Sequence, residues 1–297
     1  MSSEISIVIK ELNRLDLEKV DYDEVIEKIK PLMCAIHIAT QKSSSTDMYF
    51  RSRICNDKEI ENIKELSAPP NELVKGFQRC NPPGKSMFYS ASKRMTTLLE
   101  CNVQVGDIVY LSQWVNKKPI PLNIILYNDT ETKTSNELVL NYIDTVFTRQ
   151  VHNSFSNAYK LTSAITELIT SSFEPNKTYD VREDGEIALV YPSVSDILGG
   201  YNTVMSPSFA NKRLEALHVM KLRITERKGN SIKVKVIDNA REVINGKIIW
   251  LNDEKKIPLK IQDKNGGIIF QYTGNKWSVP VGESELTEDI MNKLMTE

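Results

Sequence analysis

The chain has 297 residues, enough for one large domain or two smaller ones, each with a buried core. Hydrophobic residues make up 40% and charged residues 26%, the balance of a soluble globular protein, and no apolar run reaches the length needed to span a bilayer. A formal net charge of -1 argues against bulk attraction to nucleic acid or an anionic membrane surface, so any anion site has to be local.

The N-terminus, MSSEISIVIKELNRLD, is acidic and amphipathic, not a basic region followed by an apolar signal core, and a cytoplasmic location is expected. Apolar residues at helical spacing (Ile5, Ile9, Leu12, Leu15, then Val20, Val25, Ile26, Ile29) predict a helical pair over residues 5–33. Asp21 and Asp23 suit the start of the second helix, and Pro31 falls near its end. Gln41–Asp47 reads as a polar loop and a domain boundary.

Met48–Ile54 (MYFRSRI) alternates like a strand and puts Arg51 and Arg53 on one face with Tyr49. Two readings apply: an exposed edge where charge blocks aggregation, or a guanidinium clamp for phosphate or carboxylate. Residues 57–68 read as loop or short helix. Then comes QRCNPPGKSMFYSASKRMTTLLE, from Gln78 to Glu100. It reads as a polar turn, a short strand (Met87, Phe88, Tyr89), and a helix capped by Ser90 or Ser92 and closed by Glu100.

Val105–Val115 and Lys118–Asn128 read as strands, and residues 136–150 and 156–172 as helices. Glu174–Glu186 is a turn-rich loop. Ile187–Val194 (IALVYPSV) is a short strand with Ser193 just past it, and Gly199–Asn202 (GGYN) a tight turn. From about His218 strands alternate with Gly/Asn turns, with hairpins expected at Asn265-Gly266-Gly267 and Gly274-Asn275 and a short helix at the end. No basic–aromatic cluster in this tail supports nucleic-acid binding.

The cysteines (Cys34, Cys55, Cys80, Cys101) form no CxxC pair and the histidines (His37, His152, His218) are scattered, which argues against a structural zinc and for free thiols. Cys80 beside Arg79 reads as a small packing residue ahead of an activated thiol.

Four motifs stand in order: RxR (Arg51, Arg53), RxNPPG…FY…LLE (Arg79 to Glu100), the helix YKLTSAITELI, and YPSV…GGYN (Tyr191 to Asn202). In this order they resemble the RES-domain family over roughly residues 46–215. The fold class expected is α+β: the resemblance implies a mixed α/β RES/ADP-ribosyltransferase-like domain, and the residue pattern adds N-terminal helices and a small C-terminal β-rich subdomain that lie outside it. The corresponding boundaries are 1–45 (helical), 46–217 (NAD-binding and catalytic) and 218–297 (β-rich).

The resemblance also implies an activity. Studied members are toxins of bacterial toxin–antitoxin pairs that consume NAD as phosphorylases or glycohydrolases, and some are described as ADP-ribosyltransferases. By position, Arg79, Glu100 and Ser193 match the family's catalytic residues, and Arg53 or Arg51, Tyr89 and Asn202 its NAD-binding residues. Gln78 and Cys80 stand where the family carries a glycine and an aromatic. NAD enters as substrate, no metal is implied, and an antitoxin is the implied protein partner. Inorganic phosphate, water or a macromolecule as acceptor, and assembly into a homo-oligomer, stay open. A non-catalytic binding module with a vestigial cleft is the alternative from another class.

These residue types suit the chemistry. Arginine forks pair with a pyrophosphate. Cleaving the nicotinamide–ribose bond develops an oxocarbenium-like charge that a carboxylate such as Glu100 steadies. Nicotinamide leaves as a neutral molecule, so no general acid is required.

Overall fold

Apolar stripes at helical spacing make the first two elements, α1 (Ser2–Asn13) and α2 (Tyr22–Cys34). The computed structural model describes residues 2–44, 46–125, 134–170, 186–196, 199–251, 259–262, 269–273 and 276–278. After α2 come β1 (Ala39–Lys42), β2 (Met48–Ile54), β3 (Phe88–Ala91), α3 (Arg94–Glu100), β4 (Ile108–Asn116) and β5 (Pro121–Ile124). They are followed by α4 (Ser135–Thr148), α5 (Lys160–Thr170), β6 (Ala188–Pro192), β7 (Tyr201–Met205), α6 (Pro207–Arg213), β8 (Leu214–Lys228), β9 (Ser231–Ile244) and β10 (Lys247–Trp250). Three short strands, β11 (Leu259–Gln262), β12 (Ile269–Thr273) and β13 (Lys276–Ser278), complete the set. Single 3-10 turns cover Ile63–Leu66 and Asn71–Leu73, and a longer one Asn153–Tyr159. The protein is therefore a mixed α+β protein.

The described chain forms two compact units that interleave in sequence: residues 1–47, 67–92 and 116–215 in the first, and 48–66, 93–115 and 216–297 in the second. The segment 46–217 contributes to both.

In the first unit the strands run in the order β1-β5-β6-β7-β3. All pairs are antiparallel except β5–β6, which is parallel. A parallel pair needs a long crossover, and the connection between β5 and β6 carries α4 and α5. Thr134 and Glu137 form a capping box that fixes the start of α4. One core joins Leu12, Val25, Ile29, Phe147, Ile165 and Leu168 of the helices to Leu189, Tyr191 and Val204 of the sheet. Burying each such large side chain contributes about 1.5–3 kcal/mol. Pro31 lies inside α2, in its last turn, and the helix continues to Cys34.

In the second unit the order is β2-β4-β8-β9-β10, with α3 packed on β2. Leu98 and Leu99 of α3 join Phe50, Leu111, Met220, Leu222 and Ile224 in its core. Asn245 (φ 49) and Gly246 (φ 83) turn β9 into β10 with both residues left-handed, which is why Asn-Gly serves there. β11, β12 and β13 form an antiparallel three-stranded sheet. The hairpin residues expected at 265–267 and 274–275, the loop 174–185 and the final helix lie outside the described residues.

Two local readings are corrected. Neither Ser90 nor Ser92 caps α3: Ser90 is in β3 and bonds Thr203 O at 3.1 Å, Ser92 Oγ accepts from Tyr201 N at 3.0 Å, and the N-cap is Lys93. Only the glycines of GGYN turn, with Gly199 at φ 81, while Tyr201 and Asn202 already belong to β7. The first strand of the β-rich region, β8, begins at Leu214.

Candidate functional site

The Arg79–Tyr89 stretch is held by its own side chains. Tyr89 Oη accepts the Cys80 backbone N–H at 2.9 Å and donates to Asn81 Oδ1 at 2.5 Å. Asn81 Nδ2 in turn donates to Lys85 O at 2.7 Å, closing the NPPG loop, where Gly84 takes φ 73. Burial holds the Tyr89 phenol well above its ordinary range, so it stays a protonated donor. Burial likewise pushes the Cys80 thiol up to about 11, with Thr166, Tyr191 and Tyr89 around it. Cys80 is thus a packed thiol, not an activated one.

Arg79 is half-buried. Its Nη1 donates to Phe147 O, both Nη atoms reach Arg149 O at 3.3 Å, and the guanidinium lies 5.1 Å from the Tyr159 ring centroid. It occupies carbonyls that the end of α4 leaves without intrahelical partners.

Ser193 follows β6. Its N–H donates to Gly200 O at 2.8 Å and its Oγ accepts from Asp196 N at 3.1 Å, tying the YPSV…GGYN loop at its base. Asn202 is buried on β7, opposite Tyr191 on one side and Ala91 on the other. Tyr89 stands opposite Val204 on the same pair of strands. The segments carrying Arg79, Tyr89, Ser193 and Asn202 therefore converge on three adjacent strands, β3, β7 and β6.

The remaining residues, Arg51, Arg53 and Glu100, belong to the second unit. Arg51 Nε donates to Leu66 O at 3.1 Å and Arg53 Nη1 to Glu65 O at 2.5 Å, so both guanidinium groups hold the 3-10 turn Ile63–Leu66. Glu100 is exposed at the end of α3. Next to it, Cys101 donates to Ser52 O at 3.3 Å, and burial pushes its thiol up to about 11. Arg51 and Glu100 act on that thiol in opposite directions, so the two charges flank Cys101.

Sequence reading overlooked a polar cluster in the second unit. Arg94, the first residue of α3, lies 4.9 Å over the Phe50 ring and donates from Nη2 to Gln113 Oε1 at 3.1 Å. Its Nε is buried and meets no acceptor. His218 is 2% exposed, and burial, with the Arg94 charge second, pushes its imidazole down to about 3. The Asn239 side chain faces that imidazole. Phe50 pairs with Gln113 and Met220 with Asn239, so these residues share the sheet face that α3 covers. A signal was present: His218 stands in the alternation His218, Met220, Leu222, Ile224, on a face otherwise apolar.

Among the described residues no group of three His, Cys, Asp or Glu side chains could hold a metal ion, and no helix is long and apolar enough to cross a membrane. The architecture defines a mixed α+β protein with a helix-covered sheet in its first unit. No family model, curated protein or solved structure matches the chain.

Proposed function

We propose that the protein is an NAD-consuming enzyme that breaks the nicotinamide–ribose bond by phosphorolysis or hydrolysis, as a cytoplasmic toxin kept in check by an antitoxin. The observation that carries this reading is the convergence of the RCNPPG…FY, YPSV and GGYN motifs on β3, β6 and β7, although about a hundred residues separate the first from the others in sequence. Residues recruited from such distances to three adjacent strands and the loops that flank them are where function is commonly carried.

In this reading Glu100 steadies the ribosyl cation as nicotinamide departs with the bonding electron pair and becomes neutral. Phosphate or water then forms the new bond to the anomeric carbon. Tyr89 is a positioning residue that fixes the Arg79 turn, Ser193 ties the loop after β6, and Asn202 stands on β7 beside it. Arg79 serves by holding the end of α4, and Arg51 and Arg53 by holding the turn Ile63–Leu66 within their own unit.

The test is direct. Purified protein is incubated with NAD, with and without phosphate, and products are separated by chromatography. Nicotinamide release by the wild-type chain, reduced at least 100-fold in Glu100→Gln with unchanged thermal stability, is the expected result. ADP-ribose 1-phosphate would mark phosphorolysis and free ADP-ribose hydrolysis. An NAD pool that stays intact under both conditions would overturn the proposal.

A further inference from the structure

We propose that Arg94, with His218 and Gln113 beside it, forms a binding site for an oxyanion, the phosphate or carboxylate group of a small ligand, inside the second unit. The argument is one of donors and acceptors. Arg94 carries its positive charge into the face covered by α3, and among the described residues no carboxylate pairs with it. Its contacts are the Gln113 carbonyl and the Phe50 ring, and its charge is felt by the His218 imidazole. Its Nε–H, out of reach of water, has no acceptor. Buried charges are ordinarily paired, and a buried donor left unmatched is costly.

The side chains beside Arg94 leave its Nε–H unmatched among the described residues. Gln113 spends its carbonyl on Arg94, and its amide N–H reaches only the Met48 thioether at 2.9 Å, a weak acceptor. The Asn239 side chain faces the imidazole and supplies no acceptor to Arg94 Nε. His218, on the same sheet face and within the field of the guanidinium, supplies a ring nitrogen that can take up a proton when negative charge arrives. A planar guanidinium with Nε free is the geometry that receives two oxygens of one oxyanion. The ring of Phe50 lies under the guanidinium and fixes its plane.

Arg94→Met separates this role from a structural one. If the charge is kept for a ligand, removing it leaves the unliganded fold no less stable, because a partly buried cation without a carboxylate partner among the described residues is replaced by an apolar side chain of similar length. In the wild-type protein, phosphate, or acetate as the carboxylate probe, should raise the thermal midpoint saturably above chloride at equal ionic strength. In Arg94→Met that rise should be lost while the midpoint in chloride is kept or increased, and Arg94→Lys should weaken the rise. Which probe acts at lower concentration separates phosphate from carboxylate. On the wild-type protein alone, the His218 imidazole nitrogen resonances should move on titration with the active anion. The proposal is overturned if neither anion exceeds chloride, if the shift persists in Arg94→Met, or if the His218 resonances stay still.

Discussion

The Tyr89 hydroxyl and the Asn81 side chain are 2.5 Å apart, with the phenol as donor and the Cys80 N–H as its second partner. One side chain from β3 thereby fixes the turn that carries Arg79. Tyr89→Phe keeps the ring in the core and deletes only the hydroxyl. It leaves a buried Cys80 N–H and Asn81 carbonyl without that partner, which costs about 1–3 kcal/mol. Urea unfolding should show a lower midpoint at an unchanged slope. A change below about 0.5 kcal/mol, the range of ordinary surface substitutions, would mean the hydroxyl does not hold the turn.

Arg79 gives a second outcome that distinguishes two roles. Its guanidinium is engaged by Phe147 O and Arg149 O at the end of α4. Arg79→Ala should therefore destabilise by about 1–3 kcal/mol, the cost of carbonyls losing a charged donor. Lysine should restore only part, since one ammonium replaces a fork that reaches two carbonyls. Were the side chain to act solely by gripping a pyrophosphate, Arg79→Ala would unfold like the wild-type chain and lose only NAD affinity. Calorimetry with NAD beside urea denaturation reads both.

How much of this was visible in the sequence depends on the range of the interaction. The helical pair announced itself in the spacing of Val25, Ile26 and Ile29, and β2 in the alternation around Arg51 and Arg53, because both patterns are local. Helix α6 was missed although Ser206 before Pro207 is a start signal, and Ser206 Oγ does accept from Phe209 N at 3.1 Å. The short PSFANKR run has too little periodicity to declare itself. Capping of α3 failed for the opposite reason: Ser90 and Ser92 satisfy the cap rule locally, but β7 claims both through Thr203 O and Tyr201 N. The fate of the arginines was not legible at all. Whether a guanidinium meets a ligand or a carbonyl depends on residues such as Leu66 and Phe147, whose positions only the tertiary fold decides. The Arg94–His218 pair is similarly remote in sequence, and only His218's place in an apolar alternation hinted at it.

The last prediction concerns that histidine. Its ordinary value is 6.5, and in the folded protein burial, assisted by the Arg94 charge, brings it down to about 3. Arg94 from α3 and Asn239 from β9 are the groups that face it. Between those values the unfolded chain binds a proton that the folded chain refuses, so stability is complete above pH 6.5 and declines as the pH falls. The steepest slope is about 1.4 kcal/mol per pH unit, one proton's worth. A window from pH 7 to pH 5.5 isolates the effect, because carboxylates stay largely ionised there. Urea unfolding in chloride buffers should show the wild-type protein losing about 1 kcal/mol more across this window than His218→Gln. Equal losses in the two proteins would show that the imidazole accepts its proton inside the fold as readily as outside it.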